Sequence, residues 1–292
     1  MLEAPAPRTL STFELVAIVA ALSALNSVSI DAMLPALPEI GRAFDVAHDN
    51  DRQLVIVAYV VPFGLAQLVY GPLSDTFGRR SVLVWALGLF LIGSVLCVAA
   101  PSFGLLLAAR ALQGLGAAAT RVVSTAVVRD LTSGRRMAQI MSMAMSVFML
   151  VPILAPAMGQ LILLVAPWRW IFGGLLIYAI AVMGWVLLRL PETLAPENRT
   201  SLRPAAIAHA YAAVFKQRQT FGYMLAMSFI AAGLFGYVTA CEQIYVEVFH
   251  LGALFPLAFA SIALAIMAAA SPIRVSSCAL ACGAWRTWRR SR

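Results

Sequence analysis

Eight apolar runs, each close to the ~20 residues that cross a bilayer as a helix, decide what this chain can become. They lie near 15–37, 54–74, 82–100, 104–128, 138–164, 169–190, 220–241 and 253–271. In hydrocarbon every backbone N–H and C=O needs a partner within the protein, and a helix supplies one residue by residue. The expected fold is therefore an all-α integral membrane bundle. Composition agrees: 62% of the 292 residues are hydrophobic and 12% charged, about half the charged share of an ordinary soluble domain. The first run follows a leader whose one cation is Arg8 and lacks a cleavage-site pattern, so it reads as a retained span.

The net charge of +8 invites a nucleic-acid reading, but the positions of the cations argue against it. With the N-terminus in the cytoplasm, the inner segments hold Arg8; Arg79 and Arg80; Arg129, Arg135 and Arg136; Arg189, Arg199, Arg203, Lys216 and Arg218; and Arg274, Arg286, Arg289, Arg290 and Arg292. The outer segments hold Arg42, Arg52 and Arg169. That bias sets topology, and no nucleic-acid partner is expected. The four cysteines, Cys97, Cys241, Cys278 and Cys282, have no framework spacing. No His/Glu pair stands at metal spacing and no Ser–His arrangement is visible; His48, His209 and His250 fall in loops or at span ends. Neither an enzyme nor a metal site is expected.

The polar stretch 191–219 separates six spans from the two that follow. It divides the chain into a six-helix bundle (1–190), a cytoplasmic linker (191–219), the first two helices of another bundle (220–271) and a basic tail (272–292). That is the layout of a duplicated transporter.

An ionisable group at membrane depth costs about 2.5–3.5 kcal/mol on insertion scales and faces a bundle interior or a wet cavity. Asp31 stands about six residues before the outer end of the first run, and Arg110 about six residues into the fourth, each ~9 Å deep at 1.5 Å per residue. An acid and a base at matching depth on different helices can meet; snorkelling of each to the headgroups is the competing account. Arg110, Gln113, Gly114, Ala117, Arg121 and Ser124 share one helical stripe. Ser23, Asn26, Ser27 and Asp31 form another, and Gln139, Ser142, Ser146 and Gln160 a third. The expected cavity lining is Asn26, Gln113, Arg121, Gln139, Ser142 and Ser146. Pro152 and Pro156 bend the fifth run, and Gly159 permits close helix approach.

"GPLSDTFGRR" (71–80) resembles the signature of the loop between spans two and three in the major facilitator superfamily, with Gly71, Asp75, Gly78, Arg79 and Arg80 in register and Pro72 at a variable position. "RALQGLGAAA" (110–119) matches that family's span-four signature. "APAMGQ" (155–160) is similar to its span-five antiporter signature, with Ala155 and Gln160 in place of glycines. "SIDAMLPALPEIG" (29–41) and "PWRWIF" (167–172) narrow the resemblance to the bicyclomycin-resistance (Bcr/CflA) branch of drug:proton antiporters. The resemblance covers about residues 12 to 270.

The resemblance implies a major facilitator-type bundle, with about eight transmembrane helices present of an expected twelve. It implies multidrug efflux by proton-coupled antiport at the bacterial inner membrane. Lipid, protons and small amphipathic drugs would be the partners, the proton gradient the coupling source, and no cofactor is implied; oligomeric state is left open. Asp31 and Arg110 would couple protons to substrate. Gly71, Asp75, Gly78, Arg79 and Arg80 would latch the first bundle to the second. The missing spans imply a truncated copy with transport impaired or lost. A non-transporting relic, or a partner of an intact transporter, is the rival. The segment 272–292 reads either as a shifted reading frame or as a basic tail on the anionic inner leaflet.

Overall fold

The structure, a computed structural model, describes residues 10–262 and 264–265. The elements that carry the argument are α1 (Thr12–Asp31), α2 (Leu37–Ala43), α3 (Leu54–Phe77), α4 (Arg79–Ala99), α5 (Phe103–Leu131), α6 (Gly134–Phe148), α7 (Val151–Val165), α8 (Arg169–Arg189), α9 (Pro204–Lys216) and α10 (Arg218–Gln243). Seven segments among the described residues are long and apolar enough to span a membrane. The eighth expected run, 253–271, is described only through 262 and at 264–265, and the tail 272–292 lies outside the described residues.

Proline shapes the first and fifth spans. Pro35 has no N–H to offer the carbonyl of Asp31 four residues back, and α1 ends at Asp31. A turn and the short α2 then carry the chain on to Ala43. Asp31 therefore sits at a break inside a span of Thr12–Ala43, deeper than the sequence pattern places it. Pro152 acts likewise on the carbonyl of Phe148, and the helix breaks at Met149–Leu150 between α6 and α7.

The core belongs to α1 and α5. α5 packs against α3, α4 and α1, while α1 also meets α6, α7 and α8. Small residues make these approaches possible. A Cβ built on Gly116 would lie 2.5 Å from the Phe90 nitrogen, and one on Gly159 would collide with the Ala32 carbonyl. Outward faces of α3, α8 and α10 carry exposed Val61, Leu65, Ile177, Leu188, Phe229 and Ile230, as lipid contact requires. α10 is mostly exposed and buries Val238, Cys241 and Glu242 near its far end.

The linker is not wholly irregular. "PAAIAHAYAAVFK" forms α9 because alanine has the highest helix propensity and proline suits a first turn. The Tyr211 hydroxyl donates to the Leu68 carbonyl at 2.5 Å, fastening this helix to α3.

Candidate functional site

The break at Asp31 opens onto a cavity of about 260 Å³ between α1, the α6–α7 break, α10 and the segment around Phe259. Asn26, Ser27, Ile30, Phe148, Met149 and Pro152 line it from one side, and Leu234, Phe235, Tyr237, Val238, Phe259 and Ile262 from the other. Asp31 is the one carboxylate among the described residues that line it. It is 6% exposed, and the Ser27 hydroxyl donates to its Oδ2 at 2.6 Å. Tyr237 stacks on Phe259 with centroids 6.1 Å apart. An acid walled by aromatic rings suits an organic cation, since ring faces attract positive charge and the carboxylate neutralises it.

Arg110 does not meet that acid, contrary to the expectation from depth. It is fully buried. Its Nε donates to the Val55 carbonyl at 3.1 Å, one terminal nitrogen to Gln113 Oε1 at 2.8 Å, and the other to the Ser29 carbonyl at 3.1 Å. The guanidinium lies 4.4 Å from the centre of the Tyr59 ring. Arg110 thus holds α1 through the backbone carbonyl of Ser29, two residues before Asp31, and not through the carboxylate. Gln113 is likewise fully buried and does not line the cavity at Asp31. Its amide donates to Ser94 Oγ at 2.7 Å, tying α5 to α4. The network reaches the cavity at one point, where the Tyr59 hydroxyl donates to Asn26 Oδ1 at 3.0 Å.

Arg121 lies elsewhere, exposed at a smaller cavity of about 60 Å³ with Ser23, Ser124, Thr125, Met141, Met145 and Phe148. Gln139, Ser142 and Ser146 are exposed and line neither cavity. α6 buries Ile140 and Ala144 against the bundle, which turns the Gln139–Ser142–Ser146 stripe away. Of the six expected lining residues, Asn26 and Arg121 border these cavities.

The turn at 71–80 is a tight helix junction. Gly78, at φ 96°, ends α3 and starts α4, and a side chain there would be strained. Gly71 has no such role, for it sits inside α3 with open space where a Cβ would be. Arg79 pairs with Asp75 at 2.5 Å and Asp130 at 2.9 Å. The Glu192 carboxylate accepts from the backbone N–H groups of Arg79 at 2.8 Å and Arg80 at 3.2 Å, meeting the free donors and positive dipole of a helix start. Arg80 donates to the Leu187 carbonyl at 2.6 Å. The junction thus ties α3, α4, α5 and α8 together.

Two acids escaped the sequence reading. Asp130 is the lone acid beside three arginines (129, 135 and 136), and Glu192 follows the last residues of a span. Both were visible as acids at a basic end. Glu192→Ala is expected to lower stability by about 1–2 kcal/mol, read as a lower unfolding midpoint in detergent, while Glu197→Ala, at an exposed site, leaves it unchanged. Equal midpoints for both variants would remove Glu192 from the cap. On the opposite face, Arg52 pairs with Glu242 at 3.6 Å, both side chains buried, joining the segment before α3 to the end of α10.

The sequence profile of the Major Facilitator Superfamily matches residues 17–289. The uncharacterized MFS-type transporter YdgK of Bacillus subtilis is 35% identical over 230 residues, covering 78% of this chain and 57% of that one. The bicyclomycin resistance protein homolog of Haemophilus influenzae is 34% identical over 240 residues, 82% of this chain and 60% of that one. The chain thus spans under two thirds of the length of these relatives. Among solved structures, the human organic anion transporter MFSD10 superposes with TM-score 0.66 at 22% identity, covering 88% of this chain and 70% of that one. The D-xylose-proton symporter superposes at 0.57 with 15% identity, covering 87% and 66%. At these identities the likeness is one of fold. With a profile match over most of its length and spans that pack as those structures do, the chain belongs to the major facilitator superfamily.

Proposed function

We propose that the protein exports amphipathic organic cations in exchange for protons across a bacterial cytoplasmic membrane, with Asp31 as the group that holds proton and drug in turn. One observation carries this reading: a single carboxylate among the described residues that line a mostly apolar and aromatic cavity, between the first six spans and α10. A cation leaving the cavity exposes Asp31 to protonation, and a proton leaving restores the negative site, so the two ligands exclude each other. Relatives named for bicyclomycin and multidrug resistance support export as the direction. The loop positions of Arg79, Arg80, Arg129, Arg135, Arg136 and Arg189 support a cytoplasmic N-terminus. On that side the Arg79–Asp75–Asp130 cluster acts as the conformational latch, its ion pairs exchanging as the bundles rock.

Expression in bacteria stripped of their own pumps tests the proposal. Efflux of ethidium or tetraphenylphosphonium that stops when an uncoupler collapses the proton gradient is the expected result. A membrane-inserted chain with no such efflux contradicts it and favours a non-transporting role.

A further inference from the structure

We infer that the small cavity at Arg121 is an oxyanion subsite, so that the transported ligand is a zwitterionic amphiphile with its ammonium at Asp31 and its carboxylate at Arg121. The inference rests on the Asp31 reading above and extends it. Arg121 lies ten residues before the end of α5, about 15 Å along the helix, with its side chain exposed at the cavity. Its guanidinium makes no hydrogen bond, ion pair or ring contact with any described residue, whereas Arg79, Arg80, Arg110, Arg169 and Arg189 all have partners. Its surroundings are polar. Ser23 contributes a hydroxyl from α1, and Ser124 and Thr125 add hydroxyls that donate to the Arg121 carbonyl at 3.2 and 3.0 Å. A guanidinium with all its donors uncommitted, beside a hydroxyl-lined niche, matches a carboxylate as a two-point partner.

The niche is not isolated. Phe148 lines both this cavity and the one holding Asp31, so one elongated ligand reaches both. Ser23 and Asp31 are eight residues apart on α1, which sets the spacing of the two charged ends at about 12 Å. The chain between the ends lies against Phe148, whose ring is apolar.

The test uses the purified chain in phosphate-free maltoside micelles, so that no lipid phosphate competes, with equilibrium dialysis of 12-aminododecanoate and dodecylamine. Wild type is expected to bind the amino acid more tightly than the amine. Arg121→Gln should weaken 12-aminododecanoate about tenfold or more, the loss of one charge-assisted contact, and leave dodecylamine unchanged. Arg121→Lys should recover part of that loss. Unchanged 12-aminododecanoate binding in Arg121→Gln, equal weakening of both probes, or no wild-type preference would each overturn the subsite. If Asp31→Asn leaves dodecylamine binding intact while the Arg121 effect persists, the Asp31 reading fails and the anion subsite stands. Failure of wild type to bind either probe overturns both.

Discussion

Asp31→Asn is expected to weaken tetraphenylphosphonium binding at least tenfold and to abolish the proton release that accompanies it. The cavity offers a cation aromatic faces and one carboxylate; without the carboxylate, the cation keeps only the weaker ring attraction, about 0.5–2 kcal/mol. The sign of the pH dependence follows. In wild type the cation binds the ionised acid, so below the titration of Asp31 affinity falls about tenfold for each unit the pH drops, because a proton holds the site. In Asp31→Asn the dependence disappears. Folding should survive, since an amide oxygen can still accept from Ser27, which bonds Asp31 at 2.6 Å in the native chain. Isothermal titration in two buffers of different ionisation enthalpy measures the released proton. A variant that binds as tightly as wild type, or still releases a proton, removes Asp31 from the exchange.

A large effect on stability is expected at Gly114. A Cβ there would collide with the carbonyl oxygen of Tyr59, with its carbon at 3.0 Å and Cα at 3.2 Å. All three are backbone atoms, so no side chain can swing aside and α3 must move off α5. Gly114→Val should cost about 3 kcal/mol, the upper end for overpacking. It should also pull the Tyr59 ring from Arg110 and its hydroxyl from Asn26, contacts of 4.4 and 3.0 Å. Gly64→Val is the control, for nothing lies within 4 Å of a Cβ at that position in α3. Thermal unfolding in detergent should show a markedly lower midpoint for the first and little change for the second. Equal midpoints would mean that α3 and α5 are not held at this distance by the glycine.

The spans were legible because a run of twenty apolar residues has few other uses, and the 71–80 junction because Gly78 takes a backbone conformation that other residues resist. The break that frames Asp31 was also written in the chain, in Pro35, although the apolar pattern ran straight through it. Arg110 was harder. Two of its three hydrogen-bond partners are backbone carbonyls, of Val55 and Ser29, and a carbonyl leaves no mark in a sequence, so depth alone pointed to the wrong partner. The stripe at Gln139, Ser142 and Ser146 misled for a related reason: a polar stripe shows that a helix has two faces without saying which faces the bundle. α9 was hidden within a linker read for its charge and proline rather than for its alanines.

The cavity beside Asp31 is the centre of this account, and thiol labelling probes it most directly. With Cys97, Cys241, Cys278 and Cys282 replaced by alanine, Met149→Cys puts a thiol on the cavity wall, where Met149 stands at the helix break. A membrane-impermeant, positively charged methanethiosulfonate is expected to modify this thiol, with tetraphenylphosphonium slowing the reaction and Asp31→Asn removing the protection. A thiol that stays unmodified from both sides of the membrane, or one that reacts at the same rate with and without the cation, would contradict it.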